Sequence, residues 1–448
     1  MDKTKIINVL QNSNLWGNLF ELGILRKNHI DLIEKRSQMQ EAIVIEGVRR
    51  SGKSTITKQF LNHMVNKGIK KHKTLYINFE EPLFAPELNL ELIDNIYDTY
   101  QEIISSEGAD YIVMDEIQNI PLWEKWVRSK LESNNKIKII VTGSSSKLLA
   151  SEFSTVLSGR STKITMFPLS FKEFLKFKGM VLADYKDIKN VMLNQNKIKP
   201  LLREYLEFGG FPRVVLEKKE NKQILLKEYY EAIILRDITS RYKLKETNIL
   251  KALTTILLTN NASLVSIGKL ANLLKESFKR SVSLETVSNY LCYLELAQLT
   301  FLVPIFSYKI KDQLQYPKKV YCIDLGMRNA VSFRFSEDIG KLAENIVFLE
   351  LKRMEKEIYY WKSRSHKEAD FVIKEGLKIK GLINVSWDIT DNKTKQREID
   401  SMLEAMEEFG LNKGIIITEN YENEEKFNKK KIKYIPLWKW LLVSKKQY

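Results

Sequence analysis

The chain has 448 residues, of which 44% are hydrophobic, 10% aromatic and 29% charged. That profile excludes a disordered chain, and the length is too great for one ordinary core, so it points to roughly three domains. A formal net charge of +16 favours phosphate-rich partners such as nucleic acid, although lysine outnumbers arginine and is spread along most of the chain, as in any lysine-biased proteome.

The start, MDKTKIINVLQNSNLW, is too polar for a signal peptide. No apolar run approaches the roughly 18 residues that a membrane span needs, so no membrane partner is expected. Cys292 and Cys322 lie far apart in apolar patterns. They support neither a disulfide framework nor a cysteine zinc site, and a reducing cytoplasmic location is expected.

The apolar run at 42–45 leads into Gly47, Val48, Arg49, Arg50, Ser51, Gly52, Lys53 and Ser54, which fit G-x-x-x-x-G-K-[ST] at every fixed position. The glycines let the backbone curl so that its N–H groups face phosphate oxygens, and a helix over 55–65 adds its positive N-terminal end. These eight residues and Thr55 are the expected nucleotide cradle. Lys53 would reach the β and γ phosphates, and the Ser54 hydroxyl would ligate Mg²⁺.

Phosphoryl transfer also needs a carboxylate in the Mg²⁺ shell, usually at the tip of another strand. DYIVMDE at 110–116 supplies it, with a buried strand over 111–114. Asp115 would hold the metal's water shell and Glu116 would polarise the attacking water. KTLYINF at 73–79 and KIKIIVT at 136–142 read as two more strands separated by helical stretches, the alternation of a doubly wound parallel α/β sheet. Thr142, at the carboxyl end of its strand, is placed to read the γ-phosphate. No N-K-x-D signal for guanine is present, so ATP is favoured over GTP.

Beyond the sheet, Arg160 follows Ser158 and Gly159 and is a candidate to neutralise transition-state charge, in its own subunit or in a neighbour. Residues 195–260 are helical in period, interrupted by FGGFP at 208–212, a turn through which neither flanking helix would continue. IILRDITSRY at 233–242 presents Arg236, Asp237 and Arg241 at helical spacing, the pattern of a salt-bridged face. In 262–306, Ser283 is placed as an N-cap, Thr286 and Asn289 fall on a polar face, and Val287, Leu291 and Leu294 fall on an apolar one. This looks like a winged helix-turn-helix, a module that enters a DNA groove or docks a protein.

GVRRSGKST, IVMDEIQNI, VTGSSSKLL, LSGR with FPLSFKEF, and FGGFP, in that order, closely resemble the AAA-family P-loop ATPases of archaea and bacteria that carry a C-terminal domain of unknown function, DUF4143. The resemblance implies a multidomain α/β chain: an N-terminal helical segment (1–37), an AAA-type core with a parallel sheet (38–170), a helical lid (171–250), a winged helix (251–330) and a restriction-endonuclease-like domain (331–448). A nuclease of that last fold uses an acidic helix residue, then D, then E-x-K on the next strand, to hold Mg²⁺ and place a lysine beside the attacking water. Glu344, on a helix over 341–354, and Asp370, on the strand ADFVI, match the first two.

Where E-x-K falls, the strand over 382–387 has Asn384, Val385 and Ser386. An amide and a hydroxyl replace a carboxylate and a lysine, which argues against hydrolysis. Glu368 and Lys367 are the neighbours that would have to compensate. Lys378, Lys380, Lys393, Lys395 and Arg397, with the run Lys429 to Lys431, would still offer positive charge to DNA.

Three functions follow from these readings. The first is an ATP-hydrolysing switch that couples its ATP or ADP state to binding of DNA or a partner protein. The second is an ATP-licensed Mg²⁺-dependent nuclease, and the third is a regulatory module that senses nucleotide and turns it over slowly. Oligomeric state stays open.

Overall fold

A computed structural model describes residues 1–133, 136–144, 159–180, 188–332 and 338–443. The chain divides into two compact units, Met1–Met166 and Phe167–Tyr448. The first is built on five parallel strands: β1 (Ala42–Glu46), β2 (Thr74–Asn78), β3 (Tyr111–Asp115), β4 (Lys138–Gly143) and β5 (Ser161–Thr165). They lie in the order β2-β3-β4-β1-β5. The central strands are near-continuous apolar runs because both faces of a parallel sheet are covered by helices. One face buries Ile6, Leu75, Ile96, Tyr100 and Trp126, and the other buries Ile33, Ile43, Phe60, Val113 and Met166.

Strand register decides what meets at the sheet's carboxyl edge. Ile45 and Glu46 pair with Thr142 and Gly143, and Met114 pairs with Val141. The loop after β1, the acidic tip of β3 and the end of β4 therefore share one edge, where open α/β sheets place their ligands.

The opening helix, Lys3–Ser13, does more than precede the sheet. The buried Asn14 after it donates to Tyr76 O at 2.8 Å and accepts from Tyr76 N at 2.7 Å, so its amide acts as one further residue along the free edge of β2. Trp16 Nε1 donates to Thr74 O at 3.2 Å, continuing that cover.

The second unit begins with helices, among them Gln195–Phe208, Pro212–Leu216 and Lys219–Ala232. The segment expected to carry a salt-bridged face, 233–242, opens in a different kind of helix. Ile233–Thr239 is a π-helix, whose wider turn breaks the ordinary spacing, and Asp237 is buried while Arg236 stays exposed. Farther along, β6 (Ser263–Val265), β7 (Thr300–Val303) and β8 (Lys318–Cys322) form an antiparallel sheet in the order β6-β8-β7. Helices Ile267–Phe278 and Leu284–Leu296 lie between its first two strands in sequence. Ser283 Oγ caps the second helix by accepting from Thr286 N at 3.0 Å, and Val287, Leu291 and Leu294 are buried.

A mixed six-stranded sheet closes the unit. Its strands are β9 (Glu357–Lys362), β10 (Glu368–Glu375), β11 (Lys378–Val385), β12 (Lys413–Thr418), β13 (Asn423–Phe427) and β14 (Lys430–Pro436), ordered β13-β14-β12-β11-β10-β9. Helix Ile339–Arg353 precedes it in sequence, and helix Asn392–Glu408 lies between β11 and β12.

Three distant sequence signatures meet in one buried knot of this unit. Gly210 N donates to Asp324 Oδ2 at 2.6 Å, and Met327 N donates to Asp324 Oδ1 at 3.0 Å. Gly209 has φ +72°, and a Cβ there would come within 2.1 Å of the same carboxylate, so the paired glycines of FGGFP are required. Leu169 N donates to Gly210 O at 2.7 Å, and Arg353 reaches Pro168 O and Leu169 O, tying in FPLS. The turn read as a helix breaker is a clasp. Among the described residues no helix is long and apolar enough to cross a membrane.

Candidate functional site

The loop Gly47 to Gly52 leaves β1 under tight steric control. A Cβ on Gly47 would sit 2.3 Å from Met166 O, so only glycine passes the end of β5. Arg50 (φ +71°) and Gly52 (φ +99°) turn the chain through the left-handed region, and the helix Lys53–Asn66 starts at once, with no side chain capping its first N–H groups. Unfilled N–H groups at a helix start, beside a curled loop, favour an anion. Lys53, 5% exposed, folds back so that Nζ donates to Gly47 O at 2.9 Å and Val48 O at 3.4 Å.

A strap from the N-terminal segment holds this loop. Arg26 donates from its guanidinium to Ser51 O at 2.9 Å. Its own backbone N–H is taken by Gln59 Oε1 at 3.1 Å, while Gln59 Nε2 donates to Leu22 O at 2.6 Å and Ile24 O at 3.1 Å. Neither Arg26 nor Gln59 carries a local sequence mark that would have singled it out.

At the tip of β3, Asp115 is 2% exposed and both its oxygens are engaged. Oδ2 accepts from Tyr76 Oη at 2.5 Å and Oδ1 accepts from the Thr142 hydroxyl. Thr142 also accepts from Glu116 N at 3.3 Å, and Glu116 is held at φ +53°, a region costly for a residue with a Cβ. Burial and the nearby Asp115 charge push the Tyr76 phenol well above its usual range, so it remains a donor. Lys58 stacks over Tyr76 at 4.7 Å and Phe20 at 4.9 Å, and burial lowers its pKa against the pull of Asp115. Behind them lies a cavity of about 340 Å³ lined by Asn8, Asn12, Phe20, Lys58, Tyr76 and Glu81 among others.

The residues fit a nucleoside triphosphate. Ser51 Oγ and Ser144 Oγ are buried without a hydrogen-bond partner among the described residues, one in the loop and one just past the end of β4. Phosphate oxygens at this edge would satisfy such groups. Among the described residues no group of three or more His, Cys, Asp or Glu converges to hold a metal on its own. Mg²⁺ that is bound mainly by phosphates and water, with one or two protein oxygens, needs no such cage.

Arg160 is elsewhere. It immediately precedes β5, where Ala42 N donates to its carbonyl at 2.9 Å, and its guanidinium pairs with Glu132 at 2.9 Å. Because β1 and β5 are parallel, that is the amino edge of the sheet, about 16 Å of strand from Gly47. The expectation that it reaches the phosphates of its own subunit is not met.

An AAA domain model matches residues 39–175, and two domains of unknown function, DUF8612 and DUF4143, match residues 199–338 and 339–440. An uncharacterised protein of Methanocaldococcus jannaschii is 39% identical over 411 residues, covering 89% of this chain and 88% of the relative. Another, of Haemophilus influenzae, is 31% identical over 420 residues, covering 93% and 98%. The chain belongs to this family of archaeal and bacterial AAA-domain proteins with a DUF4143 domain. Among solved structures, Orc1 of Aeropyrum pernix in complex with DNA gives a TM-score of 0.31 at 12% identity, covering 69% of this chain and 92% of that one. AMPPCP-bound DnaA of Aquifex aeolicus gives 0.27 at 14% identity, covering 63% and 91%. Likeness at that level is too slight to carry a function across.

The DUF4143 domain does bring Glu344 and Asp370 together, with a partner the sequence did not announce. Lys319 of β8, 3% exposed, donates to Glu344 Oε1 at 3.0 Å and Asp370 Oδ1 at 2.7 Å, and pairs with Glu368 Oε1 at 2.7 Å. Tyr321 Oη donates to Glu344 Oε1 at 2.6 Å, and Asp370 Oδ2 accepts from Val385 N at 2.8 Å. Burial and Asp370 raise the Glu344 pKa, while the carboxylates keep Lys319 charged in spite of burial.

Asn384 turns its amide to Glu398 Oε2 at 3.0 Å and Glu368 O at 3.3 Å, and Ser386 is buried beside it. Lys367 pairs with Glu404 at 3.1 Å, so it is Glu368 alone that joins the cluster. Several of the basic residues near this domain are spent on ion pairs: Lys395 with Glu425, Arg397 with Glu398, Lys430 with Glu407 and Lys431 with Glu424. The positive field offered to DNA is smaller than the bare sequence suggests.

Proposed function

We propose that this protein binds ATP with Mg²⁺ in its first unit, hydrolyses it, and uses the change of state to control how its second unit engages DNA or a partner protein. The observation that carries this reading is the meeting of the Lys53 loop and Asp115 at one sheet edge, with both Asp115 oxygens held by the hydroxyls of Tyr76 and Thr142. Lys53 would exchange the Gly47 carbonyl for the β and γ phosphates. The loop N–H groups from Val48 to Thr55 would bind phosphate oxygens.

Ser54 and Asp115 would hold the metal and its water, Thr142 would sense the γ-phosphate, and Glu116 would orient the attacking water. Mg²⁺, when bound, supplies neutralisation of the phosphate charge. Arg160, at the far edge of its own sheet, would act only on the nucleotide of a neighbouring copy.

For the second unit, the order of helices with the sheet β6-β8-β7 supports a winged-helix reading, and the chain's charge of +16 favours DNA as the first partner to test. The free thiols Cys292 and Cys322 suit a reducing cytoplasm. The test is the ATPase rate with double-stranded, single-stranded and branched DNA, together with binding over a salt titration. Stimulation by one form and a steep loss of affinity with salt support DNA as the partner. ATP turnover with no response to any DNA assigns the second unit to a protein partner.

A further inference from the structure

The fold implied by family resemblance would place a divalent metal on Glu344 and Asp370, and the residues present do not fit one. We propose that Lys319, supplied by β8 from the segment matched by DUF8612, is the resident cation of the carboxylate cluster in the DUF4143 domain, its ammonium standing where a metal-dependent nuclease of the implied fold would hold Mg²⁺, so that the domain recognises its partner without hydrolysing it.

The stoichiometry is the first argument. An ammonium has three N–H donors, and Lys319 lies 2.7–3.0 Å from one oxygen each of Glu344, Glu368 and Asp370. Nothing remains on it for a substrate phosphate or an attacking water. A catalytic metal needs oxygens at about 2.0–2.1 Å and keeps open positions for water and substrate. Here a donor fixed on β8 fills the space between the carboxylates, and the Lys319 side chain is 4% exposed.

The second argument is what became of the remaining ligands. Asp370 Oδ2 is taken by the Val385 N–H, and the Asn384 amide is spent on Glu398 and the Glu368 carbonyl. The position of the usual second carboxylate therefore faces the neighbouring strand β10 and the helix Asn392–Glu408. The lysine has come from a different sheet, 51 residues before Asp370. It binds β8 to the helix carrying Glu344 and to β10, all within the second unit. Removing it would leave three carboxylates around a cation-sized gap, an arrangement that a divalent ion would relieve.

The experiment uses the full chain without nucleotide and Mn²⁺ as the probe, read from the loss of the free-ion paramagnetic resonance signal and from thermal melting. The wild type and Lys319→Arg should show no Mn²⁺ binding that depends on Asp370. Lys319→Ala should bind Mn²⁺ roughly tenfold or more tighter than the wild type, melt at a higher temperature with Mn²⁺ than without it, and lose both effects when Asp370→Asn is added. If Lys319→Ala folds only when Mn²⁺ is supplied, the proposal stands on that rescue. Mn²⁺ binding by the wild type that Asp370→Asn abolishes would overturn it. So would a Lys319→Ala chain that takes up no Mn²⁺, whether folded or not.

Discussion

Tyr76 donates its phenol hydroxyl to Asp115 Oδ2 at 2.5 Å, from the edge strand of the sheet to the tip of its neighbour. A hydrogen bond to a buried carboxylate contributes about 1.5–3 kcal/mol, so Tyr76→Phe should lower kcat for ATP by about tenfold or more. KM for Mg-ATP should change little, because the loop that cradles the phosphates is untouched. Steady-state kinetics at saturating Mg-ATP measure this, and a wild-type kcat would remove Tyr76 from the positioning of Asp115.

Arg26 is 6% exposed and donates to the phosphate loop at Ser51 O. Arg26→Ala removes a charged donor from a buried carbonyl, and nucleotide affinity should fall about tenfold, the equivalent of about 1.4 kcal/mol. Calorimetric titration with ADP reads the change without needing turnover. Unaltered affinity would make the strap a matter of folding alone.

The clasp on FGGFP is pH-dependent. Burial pushes the Asp324 carboxyl up to about 6 from an ordinary 3.8, against the pull of N–H groups from Gly210, Met327 and Gly326. A raised carboxyl pKa means that the folded state holds the proton more firmly than the unfolded one. Its contribution is therefore full below about pH 4, is lost as pH climbs through 6, and is flat above. The difference amounts to about 3 kcal/mol at 1.36 kcal/mol per unit. In unfolding experiments at pH 4 and pH 7, the stability of the wild type relative to Asp324→Asn, whose amide does not titrate, should shrink by most of that amount, about 2 kcal/mol. A constant difference would show that the carboxyl titrates normally.

Arg160 offers a test of assembly. Its place at the amino edge of its own sheet predicts that Arg160→Ala leaves turnover by a monomer unchanged. In an oligomer the same change should lower kcat, by the roughly 10³-fold or more typical of an arginine finger if it acts on a neighbour's nucleotide. Rates measured across a protein dilution series separate the two, and a large loss in the dilute monomer would contradict its placement.

What was legible in the sequence was local. The strand, loop and helix around Lys53 and the strand ending at Asp115 are contiguous patterns, and Thr142 followed from its place at a strand end. Asn14, Arg26 and Lys319 were not legible, because each matters through contacts 62, 25 and 51 residues away and none belongs to a spaced motif. The π-helical turn at Ile233–Thr239 puts Asp237 inside and Arg236 outside, a separation that a helical period read from sequence, which assumes the ordinary turn, does not give. Arg160 was misjudged for its own subunit because nearness in sequence to the core says nothing of strand direction, and β5 runs parallel to β1. In the DUF4143 domain the losses at Asn384 and Ser386 could be read, whereas the lysine compensating for them comes from β8.

The most direct measurement is Mg-ATP binding and hydrolysis by the wild type beside Lys53→Ala and Asp115→Asn. The wild type should bind one Mg-ATP per chain and turn it over, Lys53→Ala should lose turnover, and Asp115→Asn should keep nucleotide binding while losing its Mg²⁺-dependent hydrolysis. Undiminished hydrolysis by Lys53→Ala, or no nucleotide binding by the wild type, would contradict the placement of the site at this sheet edge.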